Sequence, residues 1–384
     1  MKQKYQCLFL LVIILFSHYV TQAQFLSFEH DGINREYIYY EPAELNDNRP
    51  LVFVLHGFGG NGPNMSQFTG MEEIADQYGF AICYPNGSSD SGGRPFWNVG
   101  YAFHTNETVD DVGFLTELAG HLQSTHNLNP ENTFATGFSN GAEMCYMLAC
   151  QSPNTFKAVA PVAGAIIQGI LQACDNSTPI PLLEIHSTGD DVIPIEADPN
   201  NSLGWGVYPL SIPETVEYFA DKNQYTSIET ETLTNIDPFH GNFVNTTKYQ
   251  NGVNNNEVWY YEIDGGFHGW PRNSFGTNDI NVGEEAWLFF QNHINNVNST
   301  LSLTDIEELE NTIQVFPNPA SNIITIETNN TMEINEIMLY NTLGVNLNLK
   351  STNGLLDIAH LSKGVYLLNI KTSKGALTKT IVKN

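Results

Sequence analysis

Apolar residues along the chain fall into short continuous runs separated by stretches with helical spacing. Tyr37–Tyr40, Leu51–Leu55 and Phe80–Tyr84 are apolar or aromatic runs of strand length, and Met71–Tyr78 reads as a short helix between the last two. Thr108–His126 repeats Val112, Leu115, Leu118, Ala119 and Leu122 at the spacing of one helix face. Thr133–Thr136, Ala158–Val162, Pro181–His186 and Val258–Ile263 follow as strands, and a helix around Glu284–His293 closes the pattern. Strands alternating with helices predict an α/β fold: one doubly wound, mostly parallel sheet covered on both faces. About 270 residues suit a single domain of that kind.

Two long irregular stretches break the alternation. Asn86–Glu107 carries Trp97; Glu196–Asn256 carries Trp205 and a helix near Glu214–Asp221. Loops of this length tend to be functional or to hold structure of their own, and both are expected to emerge at the sheet edge and wall a cleft. Residues 296–310 are polar and acidic and predict a linker after a domain spanning 24–295. Beyond it, in 311–384, the runs Ile313–Phe316, Ile323–Glu327, Ile334–Tyr340, Gly364–Ile370 and Leu377–Val382, split by turn signals, predict a small antiparallel β-sandwich. That segment has no tryptophan, which argues against a carbohydrate- or polyester-binding module.

The first residues change the picture of where the chain works. Lys2 and Lys4, the apolar run Leu8–Phe16 and the small-residue site Thr21-Gln22-Ala23 read as a secretory signal over residues 1–23. The apolar run is short for a bilayer crossing, and no later segment is long and apolar enough, so no membrane span is expected. The net charge is −27, and residues 24–304 alone hold 34 acidic and 7 basic side chains. Such a surface repels phosphate backbones and anionic membranes, which argues against nucleic-acid binding. Cys7 leaves with the signal, and the remaining Cys83, Cys145, Cys150 and Cys174 permit three disulfide pairings. Cys150 and Cys174, which flank the Phe156–Gly164 strand and its loop, are the favoured pair; Cys83 and Cys145 sit in apolar contexts suited to buried thiols. No Cys-x-x-Cys and no histidine pair at ligand spacing occurs, so no metal is expected.

Candidate chemistry centres on Gly137-Phe138-Ser139-Asn140-Gly141, which follows a strand and opens a helical pattern at Ala142–Ala149. Strand, G-x-S-x-G, helix is the order a nucleophile elbow needs: the glycines allow the sharp turn and close packing, and the hydroxyl stands at the tip. Serine needs a base to take its proton and a third group to orient that base. Asp190 lies just past the strand ending at His186, and His268 lies in Asp264-Gly265-Gly266-Phe267-His268-Gly269-Trp270-Pro271, past Val258–Ile263. Asp191 is the competing acid. The turn His56-Gly57-Phe58-Gly59-Gly60 stands where a second oxyanion donor is built, so the N–H of Phe58, or of Gly57, would join that of Asn140. His56 itself reads as structural. Trp97 and Trp270 neighbour the expected reactive edge, where they serve either as packing or as substrate walls.

Three motifs carry a resemblance. Val109-Asp110-Asp111-Val112-Gly113-Phe114, the Gly137–Ala142 elbow and Ala158-Val159-Ala160-Pro161-Val162-Ala163-Gly164 resemble the polyhydroxybutyrate-depolymerase-like esterases, α/β-hydrolases that include secreted feruloyl and acetylxylan esterases. The resemblance spans roughly residues 30–295 and implies Ser139, Asp190 and His268 as the triad. Ser187 departs from it, standing where members usually have glycine. Residues from about 305, with Val315-Phe316-Pro317-Asn318-Pro319-Ala320, Leu339-Tyr340-Asn341, Leu361-Ser362-Lys363-Gly364-Val365-Tyr366 and a lysine-rich end, resemble the C-terminal sorting domain of the type IX secretion system of Bacteroidetes. The two resemblances together imply a secreted serine ester hydrolase, without cofactor, that removes feruloyl or acetyl groups from plant or algal polysaccharide and is exported by type IX machinery. The alternatives are an extracellular polyhydroxyalkanoate depolymerase or polyesterase, and a catalytically silent binding protein on the same fold.

Overall fold

Four strands, Leu51–Leu55, Ala81–Pro85, Ala158–Val162 and Leu182–Ser187, are buried along their whole length, the first three because their residues are apolar on both faces. In a computed structural model they lie in the middle of a ten-stranded sheet. The structure describes residues 24–294 except 44, 46, 234–242 and 273–279, and residues 313–384 except 329–333, 342–346, 348, 350, 352–353 and 373–374. The expected signal (1–23) and linker (296–310), and His240, lie outside the described residues. Two compact units divide between Ile294 and Asn295.

The first unit opens with the hairpin β1 (Gln24–His30) and β2 (Ile33–Tyr40), then β3 (Leu51–Leu55), helices α1 (Gly62–Thr69) and α2 (Met71–Tyr78), and β4 (Ala81–Pro85). A two-residue pair, β5 (Ser88–Ser89) and β6 (Pro95–Phe96), precedes α3 (Asp111–Thr125). Then come β7 (Thr133–Phe138), α4 (Asn140–Gln151), β8 (Ala158–Val162), α5 (Gln168–Cys174), β9 (Leu182–Ser187), α6 (Ile212–Lys222), β10 (Ser227–Thr232), β11 (Val244–Gln250), β12 (Val258–Ile263) and α7 (Val282–Asn292). The order across the sheet is β1-β2-β4-β3-β7-β8-β9-β12-β11-β10. β4, β3, β7, β8, β9 and β12 run parallel, and antiparallel hairpins close both edges.

Alternation along each strand feeds two cores. Leu51, Phe53 and Leu55 join Leu115, Leu118, Met144, Leu148 and Phe219 of α3, α4 and α6. Val52 and Val54 face the other way and meet Ile74, Trp287 and Phe290 of α2 and α7. Asp110 caps α3 by accepting from the Gly113 N–H at 2.8 Å, and Ser211 with Glu214 forms a reciprocal capping box on α6. A disulfide joins Cys150 at the end of α4 to Cys174 at the end of α5, while Cys83 and Cys145 are buried thiols.

The 196–256 stretch differs from the expected irregular loop. Besides α6 it holds β10 and β11, which extend the sheet as an antiparallel edge. β10 is Ser-Ile-Glu-Thr-Glu-Thr and almost wholly exposed, so no apolar alternation announced it. In the second unit β13 (Ile313–Phe316), β14 (Ile323–Thr328) and β16 (Leu355–Asp357) form one sheet. β15 (Ile334–Asn341), β17 (Gly364–Thr372) and β18 (Gly375–Lys383) form the other. Ile313, Ile324, Ile326 and Leu356 share one core with Leu339, Leu368, Ile370 and Ile381, which makes the pair of sheets a small sandwich.

Candidate active site

Ser139 sits between the end of β7 and the start of α4 with φ 55° and ψ −118°, a left-handed conformation that a side-chain-bearing residue adopts only under constraint. The constraint is local packing. A methyl group on Gly137 would strike the Gly141 carbonyl, and one on Gly141 would strike the Leu55 carbonyl, so only glycine allows β7, the elbow and β3 to approach this closely. The Ser139 N–H donates to the Val162 carbonyl at 3.0 Å, and its own carbonyl accepts from Ala142 and Glu143. Asn140 follows as the first residue of α4, where backbone N–H groups have no acceptor within the helix.

β9 and β12 are parallel neighbours with Ser187 opposite Ile263, which places the acid-bearing and histidine-bearing loops side by side. Thr188 ties them: its N–H donates to the Ile263 carbonyl at 2.9 Å and its hydroxyl accepts from Gly265 N–H at 2.8 Å. Across this pair His268 Nδ1 meets Asp190 Oδ2 at 2.7 Å. The other Asp190 oxygen accepts from the Val192 and Ile193 N–H groups at 2.9 and 2.8 Å. Burial alone would lift the Asp190 carboxyl; the hydrogen bond and charge of His268, with the two N–H donors, outweigh it and hold the group below the ordinary carboxylate range. Asp191, the competing acid, is exposed. The Phe138 ring, adjacent in sequence to Ser139, lies 4.7 Å from the His268 ring, so the elbow and the imidazole share one end of the sheet.

The glycine-rich turn after β3 reaches the same place. A Cβ on Gly57 would come within 3.3 Å of Ser139 Cβ. The Gly59 N–H donates to the Pro95 carbonyl at 2.7 Å and the Gly60 N–H to Gly57 at 2.9 Å, fixing the turn that carries Phe58. His56 Nε2 accepts from Gly87 N–H at 2.8 Å, and burial pushes the imidazole down to about 4, so it stands neutral as a strut.

Trp97 and Trp270 do not line a cleft. Trp97 is 0% exposed, donates from Nε1 to the His56 carbonyl at 2.9 Å and belongs to the core, while Trp270 is 5% exposed and packs in the opposite core. Trp97 instead meets the elbow through its backbone: the Asn140 side chain accepts from Trp97 N–H at 2.7 Å and donates to its carbonyl at 3.1 Å. The exposed aromatic surface is supplied by other residues. Phe58, Phe103 and Trp205 have mutual ring separations of 5.7 to 5.9 Å, and the Ala102 N–H donates to the Trp205 carbonyl, joining the two long loops. Phe58, Arg94, Phe103, His104, Leu203 and Trp205 line a cavity of about 370 Å³. Phe267, next to His268, is 74% exposed.

Two buried carboxyls went unnoticed in the sequence because they sit in apolar contexts on regular elements. Glu143, one turn into α4, accepts from the Tyr208 hydroxyl at 2.7 Å, and burial lifts it to about 7 against the bonds from Tyr101, Tyr208 and Asn140. Glu184 on β9 accepts from the Tyr146 hydroxyl at 2.6 Å and meets His186 at 3.1 Å; burial likewise lifts it to about 7. His186 in turn reaches the Ile193 carbonyl at 2.8 Å, bracing the loop that presents Asp190.

Residues 35–199 match the family model described as esterase PHB depolymerase, and residues 314–384 match the secretion system C-terminal sorting domain. A bifunctional acetylxylan esterase/xylanase of Neocallimastix patriciarum is 29% identical over 42% of this chain and 22% of its own length. A probable feruloyl esterase C of Aspergillus niger is 33% identical over 44% of this chain and 59% of its own. The chain therefore spans less than two thirds of either relative. Among solved structures, an acetyl xylan esterase from Aspergillus awamori superposes with a TM-score of 0.52 at 19% identity, covering 70% of this chain and 99% of that one, which shows a shared α/β-hydrolase fold. The sorting domain marks the chain for secretion or attachment at the outer surface. Among the described residues no helix is long and apolar enough to cross a membrane.

Proposed function

We propose that this chain, with an esterase PHB depolymerase domain at 35–199 and a sorting domain at 314–384, is a secreted serine carboxylic ester hydrolase. The single observation that carries this reading is the 2.7 Å Asp190–His268 contact at the end of the sheet where a serine is held in an elbow conformation. Asp190 accepts a hydrogen bond from the Nδ1–H of His268, which leaves Nε2 free to act as base. Nε2 takes the Ser139 proton as Oγ attacks the ester carbonyl. The Asn140 N–H and that of Phe58, or of Gly57, receive the oxyanion. Protonated His268 then returns its proton to the leaving alcohol. Water, deprotonated by the same imidazole, releases the acid from Ser139.

The substrate class is acyl groups, feruloyl or acetyl, on plant or algal polysaccharide. The names of the relatives support it, and so does the aromatic cavity, which offers flat faces to a phenolic ring or a sugar. Ser139→Ala should abolish hydrolysis of p-nitrophenyl acetate in a folded protein; retained activity refutes the assignment, as does failure of a fluorophosphonate probe to label the wild-type serine. A polyhydroxyalkanoate depolymerase is the second reading, favoured by the description of the matched family model. A panel of methyl ferulate, acetylated xylan and short polyhydroxybutyrate separates the two: clearing of the polyester without release from the other substrates selects the second.

A further inference from the structure

The edge hairpin and the start of α3 bring together groups that the hydrolase site does not use. His30 ends β1, Asp31 occupies the turn to β2 with φ 50°, and Asp110 is the N-cap of α3. His30 Nε2 lies 3.7 Å from Asp31 Oδ2 and 3.7 Å from Asp110 Oδ2, and the three potential ligand atoms fall within 4.8 Å of one another. On the far side of the ring, Nδ1 meets Glu117 Oε2 at 2.8 Å. A carboxylate there accepts a hydrogen bond from Nδ1–H, which leaves Nε2 as the ring nitrogen turned towards the two aspartates. His30 is only 8% exposed, and its Nε2 has no hydrogen-bond partner among the described residues. A buried ring nitrogen facing two anionic oxygens calls for positive charge between them, either a proton or a metal ion.

We propose that His30, Asp31 and Asp110 bind a divalent transition-metal ion, Zn2+ being the expected one. Bonds of about 2.0 Å at tetrahedral angles separate ligand atoms by about 3.3 Å, so drawing the two exposed aspartates inward, from 3.7 Å to Nε2 and at most 4.8 Å from one another, completes three sides of a site. The fourth position faces solvent, next to a cavity of about 380 Å³ lined by His30, Asp31 and Asp110. One imidazole with two carboxylates suits zinc-like ions better than calcium or magnesium, which prefer oxygen alone. Glu117, holding the opposite ring nitrogen, is the orienting carboxylate that metal-bound histidines commonly have. Because the ligands come from a hairpin turn and a helix cap about 80 residues apart, no ligand spacing could show in the sequence. The ion would fasten the β1–β2 turn to α3. The next residue, Asp111, is ion-paired with Arg35 at 2.7 Å and accepts from Asn98 N–H at 2.7 Å, so the fastening reaches the loop that carries Trp97.

The test uses the full chain, stripped with a chelator and titrated with ZnCl2 calorimetrically at pH 7.5 in 150 mM NaCl with excess Mg2+. One saturable site per chain and a rise in thermal midpoint are expected, and Co2+ should give visible ligand-field bands. His30→Gln should weaken Zn2+ binding at least tenfold and remove the Co2+ bands, while p-nitrophenyl acetate turnover without metal stays at the wild-type level. Glu117→Gln should weaken binding by about 10-fold or more. Should His30→Gln fail to fold, Asp31→Asn, an exposed turn residue, carries the same expectation. Weak, multi-ion binding that is equal in wild type and variants would assign the metal to the diffuse acidic surface and overturn the proposal. Absence of binding would overturn it too.

Discussion

Asp190 and Asp191 are neighbours in sequence with opposite surroundings. Asp190 is buried, with one oxygen on two backbone N–H groups and the other on His268, whereas Asp191 is exposed to solvent. Asp190→Asn keeps the shape but removes the charge and the acceptor that orient the imidazole. Its kcat on p-nitrophenyl acetate should fall by about four orders of magnitude, as loss of the triad acid does elsewhere. Asp191→Asn should leave it within about twofold. Equal losses from the two substitutions would mean that the acid has been misassigned.

At the scale of elements, the disulfide fixes the ends of α4 and α5, the helix that begins at the elbow and the one that follows β8. Its 24-residue separation predicts that the double variant Cys150→Ser/Cys174→Ser loses roughly 3 kcal/mol of stability, read from urea unfolding against the oxidised wild type. No change would show that the crosslink restrains little in the unfolded chain. Elements with apolar runs were legible: β3, β8, β12 and α2 stand at the boundaries their sequences predicted, because burial on both faces or along one stripe leaves a period to read. β1 and β10 sit at the sheet's edges, where a strand needs little apolar surface, and Ser-Ile-Glu-Thr-Glu-Thr carries no such period. α1 hides behind Pro63 and a polar helix start, its Asn61 cap visible only in the geometry. The placement of Asp190 and His268 just past neighbouring strand ends, where the two meet at 2.7 Å, was legible too. The aromatic surface was not, since Phe58, Phe103 and Trp205 come from the turn after β3 and from two loops that meet only in the fold. Trp97 and Trp270 misled because sequence proximity to a reactive edge does not tell which way an indole turns.

For the whole molecule, the balance of buried carboxyls sets how stability follows pH. Glu143 and Glu184, lifted to about 7 when folded, sit well above the 4.5 of an ordinary glutamate, so their contribution is complete below that value and disappears as pH rises through 7. Asp190 works the other way: held low when folded, it favours the fold at neutral pH and its contribution fades in acid. These three groups should therefore set the stability maximum at about pH 4. Glu143→Gln, which keeps the hydrogen-bonding shape without the ionisation, should flatten the decline between pH 4 and 8 by up to roughly 3 kcal/mol in urea unfolding. An unchanged slope would mean that Glu143 ionises in the fold at little cost. The two-way clasp of the Asn140 amide on the Trp97 backbone has a consequence of its own. The peptide dipole proposed to greet the reaction's developing charge and the loop that supplies Phe103 are parts of one lever. Any occupant that pushes the aromatic wall tugs on that dipole, so preference for an acyl group and speed of turnover should drift together when this loop is exchanged, unless the graft retains the main-chain path through residue 97.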